Sequence, residues 1–438
     1  MRAEFARGAK SVVLVSPTGS GKTYICANYM VAPAVARGKR VGWLAHRSEL
    51  ADQAFDALVG LGLNVGMRCA SSTRPCNPFA PVQVATVQTL AARGQRSEFD
   101  LLICDEGHHY AEQAETFHEV VKTCGENAYV VLPTATPERV DGCGLRTIAD
   151  ALVVAATVRE LTELGHLVPC EILRPARYLK TGQIAQSPCD VYIPGRQTIV
   201  FARSVALAEQ YAAEFRARGV IAECVNAKTP WADRRRMIAD YRAVRTQVLV
   251  NVFCLTEGFD APETSCVILA RGCGTPGTYL QMTGRGLRPA PGKKDCILHD
   301  LRGVSHEHGS PIDDRVYSLD GKGISIKDPN RYCPVCGSER TDDGCTVCDW
   351  VPAGDGGLEP DVITGDPLVK YAAKRAESEE ERVSTLARWM REQRAKAFKE
   401  GWVRHKFFVV YNNWPAEALM RQARHLLDSP GPATKSML

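Results

Sequence analysis

Apolar residues fall in short continuous runs separated by stretches of helical spacing, and this alternation appears twice along the chain. Ser11-Val12-Val13-Leu14-Val15, Val41-Gly42-Trp43-Leu44-Ala45, Val82-Gln83-Val84-Ala85-Thr86, Leu101 to Cys104 and Tyr129 to Leu132 each read as a buried strand. Helical patterns lie between them, as at Ser48 to Gln53 and from the Gly-rich loop after Val15 to about Arg37. The rhythm resumes after residue 196. Strands are predicted at Thr198–Ala202, Val220–Val225, Gln247–Val252 and Cys266–Ala270, and helices at Ser204–Arg218 and Trp231–Ala243. Strands alternating with helices predict an α/β fold with two doubly wound parallel-sheet domains. Their boundary falls near 160–195, where Pro169, Pro175, Pro188 and Pro194 accumulate.

The chain thus divides into a first domain over 1–165, a second over 166–305 and a polar, Gly-rich linker over 306–330. A cysteine-rich module over 331–352 and an α-helical C-terminal region over 365–438 follow. At 438 residues the chain exceeds one ordinary core, which agrees with several domains. No apolar run approaches the roughly 20 residues of a membrane helix, and Met1-Arg2-Ala3-Glu4-Phe5 opens no signal-peptide pattern. A cytoplasmic protein with no membrane partner is expected. The net charge of +4 is too small to select a partner. Most of the 17 cysteines sit singly in apolar runs, as Cys104, Cys266 and Cys296 do, and read as reduced thiols.

Two segments carry chemistry. Ser16-Pro17-Thr18-Gly19-Ser20-Gly21-Lys22-Thr23 follows a strand and opens a helix, the setting in which backbone N–H groups cradle phosphates. Lys22 supplies a point charge to the phosphates and the Thr23 hydroxyl a ligand for Mg2+. Ser16 stands where the general pattern has its first glycine. In the second segment, Asp105 and Glu106 end the run Leu101 to Cys104, at the strand end where doubly wound sheets place their ligands. Asp105 suits holding Mg2+ through water, and Glu106 suits orienting and deprotonating an attacking water. His118-Glu119 and His306-Glu307-His308 lack zinc-protease spacing, and the latter reads as a solvated turn.

Cys333-Pro334-Val335-Cys336 and Cys345-Thr346-Val347-Cys348 form two knuckles spaced for a tetrahedral structural Zn2+. Farther on, Trp389, Trp402 and Trp414 are interleaved with Arg, Lys and His. Two readings stay open: a surface that stacks on bases and neutralises phosphates, or a small helical bundle with the tryptophans inside. The Lys374 to Arg382 charge run reads as a solvated helix face.

The ordered series Ser16–Thr23, Leu44 to Leu50, Val84 to Leu90, Asp105 to His109, Thr134-Ala135-Thr136-Pro137, Thr256 to Pro262 and Gln281 to Pro289 resembles the motif set of superfamily-two helicases. The Asp-Glu-Gly-His form is similar to the DExH group, and the whole is most similar to bacterial and phage DNA helicases related to repair and transcription translocases. The resemblance spans roughly 10–302 and implies two RecA-like domains with ATP and Mg2+ between them. It implies that Arg285 and Arg288 act as arginine fingers, that Gln281 helps hold the water, and that Gly258 and Asp260 face the ribose. Thr134 and Thr136 would couple the γ-phosphate to domain closure. Arg47, Thr86, Gln88, Arg203 and Thr256 would contact a nucleic-acid backbone, groups that suit phosphates and carry no sequence information. The implied activity is an ATP-dependent DNA helicase or translocase of phage or bacterial replication, recombination or repair, acting on single-stranded or forked DNA. RNA as the partner, a duplex translocase and a non-catalytic DNA-binding adaptor are the alternatives. No Arg-x-x-Gln segment precedes Ser16, so how adenine is recognised stays open, as does the oligomeric state.

Overall fold

The computed structural model describes residues 1–320 except 71, 94–98, 112–113, 126, 138–143, 180–181, 257 and 316, together with 362–371, 379–395, 403–404 and 417–428. The four cysteines Cys333, Cys336, Cys345 and Cys348, along with Trp402 and Trp414, lie outside the described residues.

Strands β1 (Ser11–Val15), β2 (Val41–Ala45), β3 (Val65–Arg68), β4 (Val82–Thr86), β5 (Leu101–Cys104), β6 (Tyr129–Thr134) and β7 (Ala151–Val154) form one sheet in the order β3-β4-β2-β5-β6-β1-β7. Every pairing in it is parallel. Successive side chains enter opposite cores: Val13, Val15, Leu102, Val130 and Leu132 pack on one face, and Leu14, Ile103 and Val131 on the other. Burial on both faces is why these strands read as unbroken apolar runs rather than as alternation. β3 and β7 were not legible, because Val65-Gly66-Met67-Arg68 mixes glycine with charge and Ala151–Val154 is only half-buried.

The second half contributes β8 (Cys170–Pro175), β9 (Gln183–Ile184), β10 (Gln197–Ala202), β11 (Ala222–Val225), β12 (Val248–Asn251), β13 (Thr264–Ala270), β14 (Cys296–Asp300), β15 (Val362–Ile363) and β16 (Leu368–Lys370). Its main sheet has the order β11-β12-β10-β13-β14-β8-β16, parallel except for the antiparallel edge strand β16, and β9 pairs with β15. Two apolar clusters again cover its two faces. The chain therefore holds two parallel-sheet α/β lobes, as the alternation predicts.

Three departures have local causes. The expected helix after the Gly-rich loop runs from Lys22 to Val35 but takes a wide π turn at Ala27–Val31 before Pro33. A π turn relaxes the ladder where proline has no N–H to offer. The expected linker is packed over its described part. Leu319 is buried in a core cluster of the first lobe with Tyr317 beside it, and the Arg146 N–H donates to Leu319 O at 3.0 Å. His306-Glu307-His308 is a short helix, not a free turn: His306 Nε2 lies 2.9 Å from Pro175 O and His308 Nε2 2.6 Å from Cys273 O.

A separate compact unit comprises 313–316 and 373–438. Within it the helices Glu379–Ala395 and Glu417–Asp428 bury Leu386, Trp389, Met390, Met420 and Ala423 together. Trp389 is a core residue here. Among the described residues no helix is long and apolar enough to cross a membrane.

Candidate active site

β6 lies between β1 and β5, so the loop leaving β1 and the acidic pair leaving β5 flank the strand end from which Thr134 emerges. The Ser16 N–H donates to Thr134 O at 3.0 Å, and Ser16 Oγ bonds Ser20 Oγ at 2.7 Å, which ties the loop across its base. Gly19 and Gly21 take φ of 85° and 78°, a left-handed turn that other residues resist, and Gly21 caps the helix begun by Lys22. Among the described residues, Lys22 Nζ bonds Ser16 O at 3.3 Å and Pro17 O at 3.4 Å, long contacts for an ammonium. Burial lowers its pKa, opposed by the carboxylates of Glu106 and Asp105 and reinforced by Arg285 and Arg288. A cation so placed, short of strong acceptors and backed by glycine turns, fits a polyphosphate.

Asp105 is buried at the end of β5, its N–H bonded to Leu44 O at 2.9 Å, and its Oδ1 accepts the Glu106 N–H at 3.0 Å. Glu106 has a φ of 52°, one of two non-glycine residues with positive φ among the described residues. Its Oε2 is buried without a hydrogen-bond partner and lies 3.6 Å from His108 Nδ1. The one hydrogen of the Thr134 hydroxyl goes to Thr136 O at 3.0 Å, so His108 Nδ1, 3.0 Å from that hydroxyl, is the donor there. Thr136 in turn borders the second lobe: a Cβ on Gly277 would stand 3.2 Å from Thr136 Oγ1. The Thr23 hydroxyl and the Asp105 carboxylate are the hard oxygen donors suited to Mg2+ here, and the acidic, buried surroundings of Glu106 fit that ion.

The second lobe presses on the Gly-rich loop. Gly284 follows the helix Pro276–Thr283, which carries buried Gln281, and a Cβ there would fall 2.5 Å from Thr18 Cβ. A Cβ on Gly19 would meet Arg288 Cγ at 2.8 Å. Arg288 Nη1 donates to Asp260 Oδ1 at 2.6 Å and to Phe259 O at 3.0 Å. Arg285 is turned inward: Nη1 donates to Phe259 O at 2.5 Å and its other nitrogens to Thr256 O. Gly258 O accepts Gln53 Nε2 at 2.5 Å, a further bond between the lobes. Asp260 thus faces Arg288, and its carbonyl accepts Arg242 Nε at 2.5 Å.

The residues expected to meet nucleic acid all leave carboxyl ends of parallel strands. Arg47 follows β2 and is exposed, as is Gln88 after β4. Thr86 is buried and bonds Thr89 Oγ1 at 2.8 Å, while Arg203, after β10, is buried. Thr256 Oγ1 is buried with no hydrogen-bond partner. Arg234, not foreseen from the sequence, bonds Asn226 O at 3.0 Å and acts with Arg47 on the Cys254 thiol, whose pKa burial raises and these cations lower. The run Arg234-Arg235-Arg236 was the available signal. Among the described residues no cluster of His, Cys, Asp and Glu could hold a metal as a site of three or more ligands.

Comparison with known proteins identifies the domains that carry these residues. Residues 1–139 match the family described as type III restriction enzyme, res subunit, and 186–290 match the helicase conserved C-terminal domain. A 51.5 kDa protein of Lactococcus phage (isolate 7-9) is 28% identical over 326 residues, covering 68% of this chain and 67% of that protein. The putative mitochondrial ATP-dependent helicase irc3 of Schizosaccharomyces pombe is 29% identical over 338 residues, 68% of this chain and 54% of its own length. The chain spans about two thirds of the phage protein and about half of the yeast relative. In fold it resembles a fragment of a putative HsdR subunit of a type I restriction enzyme from Vibrio vulnificus YJ016, with TM-score 0.54, 20% identity, and 70% and 63% of the two chains covered. It also resembles S. cerevisiae Dbp5 bound to RNA and ADP BeF3, with TM-score 0.52, 19% identity, and 69% and 82% covered. With both halves of the motif series matched in order, on two RecA-like lobes that meet over a phosphate loop, the chain belongs to the superfamily-two helicases, enzymes that hydrolyse ATP.

Proposed function

We propose that this protein couples ATP hydrolysis to translocation on DNA or its unwinding, as a DExH-type enzyme whose lobes are residues 1–165 and 166–305. The observation that carries this reading is the seating of Arg288 against Gly19 while Lys22, Asp105 and Glu106 share the opposite wall. Residues 16–23 would wrap the phosphates, and Lys22 would trade two long carbonyl contacts for phosphate oxygens. Thr23 and Asp105 would hold Mg2+, which neutralises phosphate charge when bound. Glu106, held by its own backbone and by His108, would accept the proton of the attacking water, with Gln281 orienting it. Arg288 would leave Asp260 for the γ-phosphate, a contact worth about 10³–10⁵ in rate. Arg285 would hold the 256–259 segment in place and add its charge from behind.

Arg47, Gln88, Thr86, Arg203 and Thr256, with Arg234, would line a backbone groove across both lobes. The match of the first lobe to a restriction-enzyme family supports DNA; the likeness to an RNA-bound protein keeps RNA as the second reading. Residues 331–352 we read from their spacing as a Zn2+-binding knuckle pair, and metal analysis of the purified chain tests this.

ATP turnover measured without nucleic acid and with single-stranded DNA, forked DNA, duplex DNA and RNA tests the main reading. DNA should stimulate turnover, and Lys22→Ala should reduce it by about 10²-fold or more while leaving DNA binding in place. DNA-stimulated turnover surviving in Lys22→Ala would overturn the site. Stronger stimulation by RNA would replace the substrate, and no stimulation by any of them would favour an adaptor.

A further inference from the structure

Among the groups to which no role is assigned above, one cation stands on the parts that touch the first lobe. Lys293 Nζ donates to Arg288 O at 2.6 Å, Gly286 O at 2.7 Å and Pro262 O at 3.0 Å. An ammonium has three hydrogens, and here each has a main-chain acceptor. Two of the acceptors lie in the Gln281 to Pro289 segment and the third ends the Thr256 to Pro262 segment. These same segments supply Gly284 against Thr18, Arg288 against Gly19 and Gly258 O to Gln53. Arg288 is therefore held twice: its carbonyl by Lys293, and its guanidinium by Phe259 O and Asp260. The floor beneath is tight, since a Cβ on Gly286 would stand 2.3 Å from Cys296 Sγ.

We propose that Lys293 is a positioning residue for ATP hydrolysis: by gathering the carbonyls of residues 262, 286 and 288 it fixes the frame from which Arg288 addresses the γ-phosphate. The inference rests on the reading of the cleft as an ATPase site. Removing the ammonium would leave three carbonyls short of a donor and let the two segments part, and a 1 Å misplacement of a reacting group costs about 10²-fold in rate. Burial lowers the Lys293 pKa to about 8; the Cys296 thiol opposes this, the Arg288 charge adds to it, and Cys170 and Glu263 oppose it. The holding charge is thus lost as pH rises through that value.

The test compares wild type, Lys293→Met, Lys293→Arg, Arg288→Ala and the double variant Lys293→Met/Arg288→Ala in steady-state ATP turnover with the best nucleic-acid activator. Lys293→Met should lower kcat by about 10²-fold while KM for ATP moves less than about threefold. In the Arg288→Ala background the same substitution should cost almost nothing further, because it acts through that arginine. Lys293→Arg should recover part of the rate and hold it above about pH 8, where wild type declines, since its guanidinium stays protonated. The proposal is overturned by a normal kcat in Lys293→Met, by an equal loss in both backgrounds, or by identical alkaline limbs in wild type and Lys293→Arg. If Lys293→Met fails to fold, the limb decides alone. Inactive wild type would sink the underlying reading instead; an active wild type beside a slowed but measurable Arg288→Ala keeps that reading and leaves only this proposal to be judged.

Discussion

Glu106 shows most plainly how this site is made. Its positive φ costs on the order of 1 kcal/mol for a residue with a side chain, and the fold holds it there. Next to it the backbone lies so close to β6 that a Cβ on Gly107 would stand 2.6 Å from Leu132 Cβ, an approach that glycine permits as the chain leaves β5. The turn sends the carboxylate inward with one oxygen unpaired. Glu106→Gln should therefore lower kcat by about 10²-fold or more with KM for ATP changed less than about threefold, and leave the melting temperature equal or higher. A kcat near that of wild type would move the proton acceptor elsewhere. The acidic pair was legible because an apolar run ends on it; its strain was not, since nothing in Asp-Glu-Gly foretells so close an approach to β6. The two arginines differ in the same way. Spacing puts Arg285 and Arg288 together, but only packing tells that carbonyls of Thr256 and Phe259 engage Arg285.

At the scale of elements, the long apolar strands were readable because both faces of each sheet are covered. One end of the second sheet was not: β8 carries Glu171, Arg174 and Pro175, and the edge strand β16 reaches it from beyond residue 360. Tyr317 and Leu319 dock from a stretch whose apolar residues are scattered among Asp, Ser, Gly and Lys with no helical or strand period to reveal it. β14 holds a different surprise, His299, buried with neither ring nitrogen hydrogen-bonded and flanked in register by Ile268 and Leu173. Burial, with the Arg196 charge adding, lowers its pKa to about 4. The unfolded chain takes up that proton near pH 6.5 while the folded lobe refuses it, so stability present above that pH is lost as pH falls toward about 4. The loss is about 1.4 kcal/mol per pH unit over that window. His299→Leu should flatten the decline in melting temperature between about pH 7 and about pH 5. An unchanged slope would assign the acid sensitivity to other groups.

For the whole molecule, the two lobes are built to touch, with Gly284 set against Thr18. Gly284→Ala places a methyl group where Thr18 already stands, so either the loop or the arginine segment must shift. ATP turnover should fall by about tenfold or more, with kcat affected before KM. Full turnover would mean that this contact is absent from the working form. The chain itself passes between the lobes more than once: from β7 to β8, back from β14 to Leu319 in the first core, and to the second lobe again by β15 and β16. Several covalent passages leave the lobes less freedom to twist apart than a single hinge would.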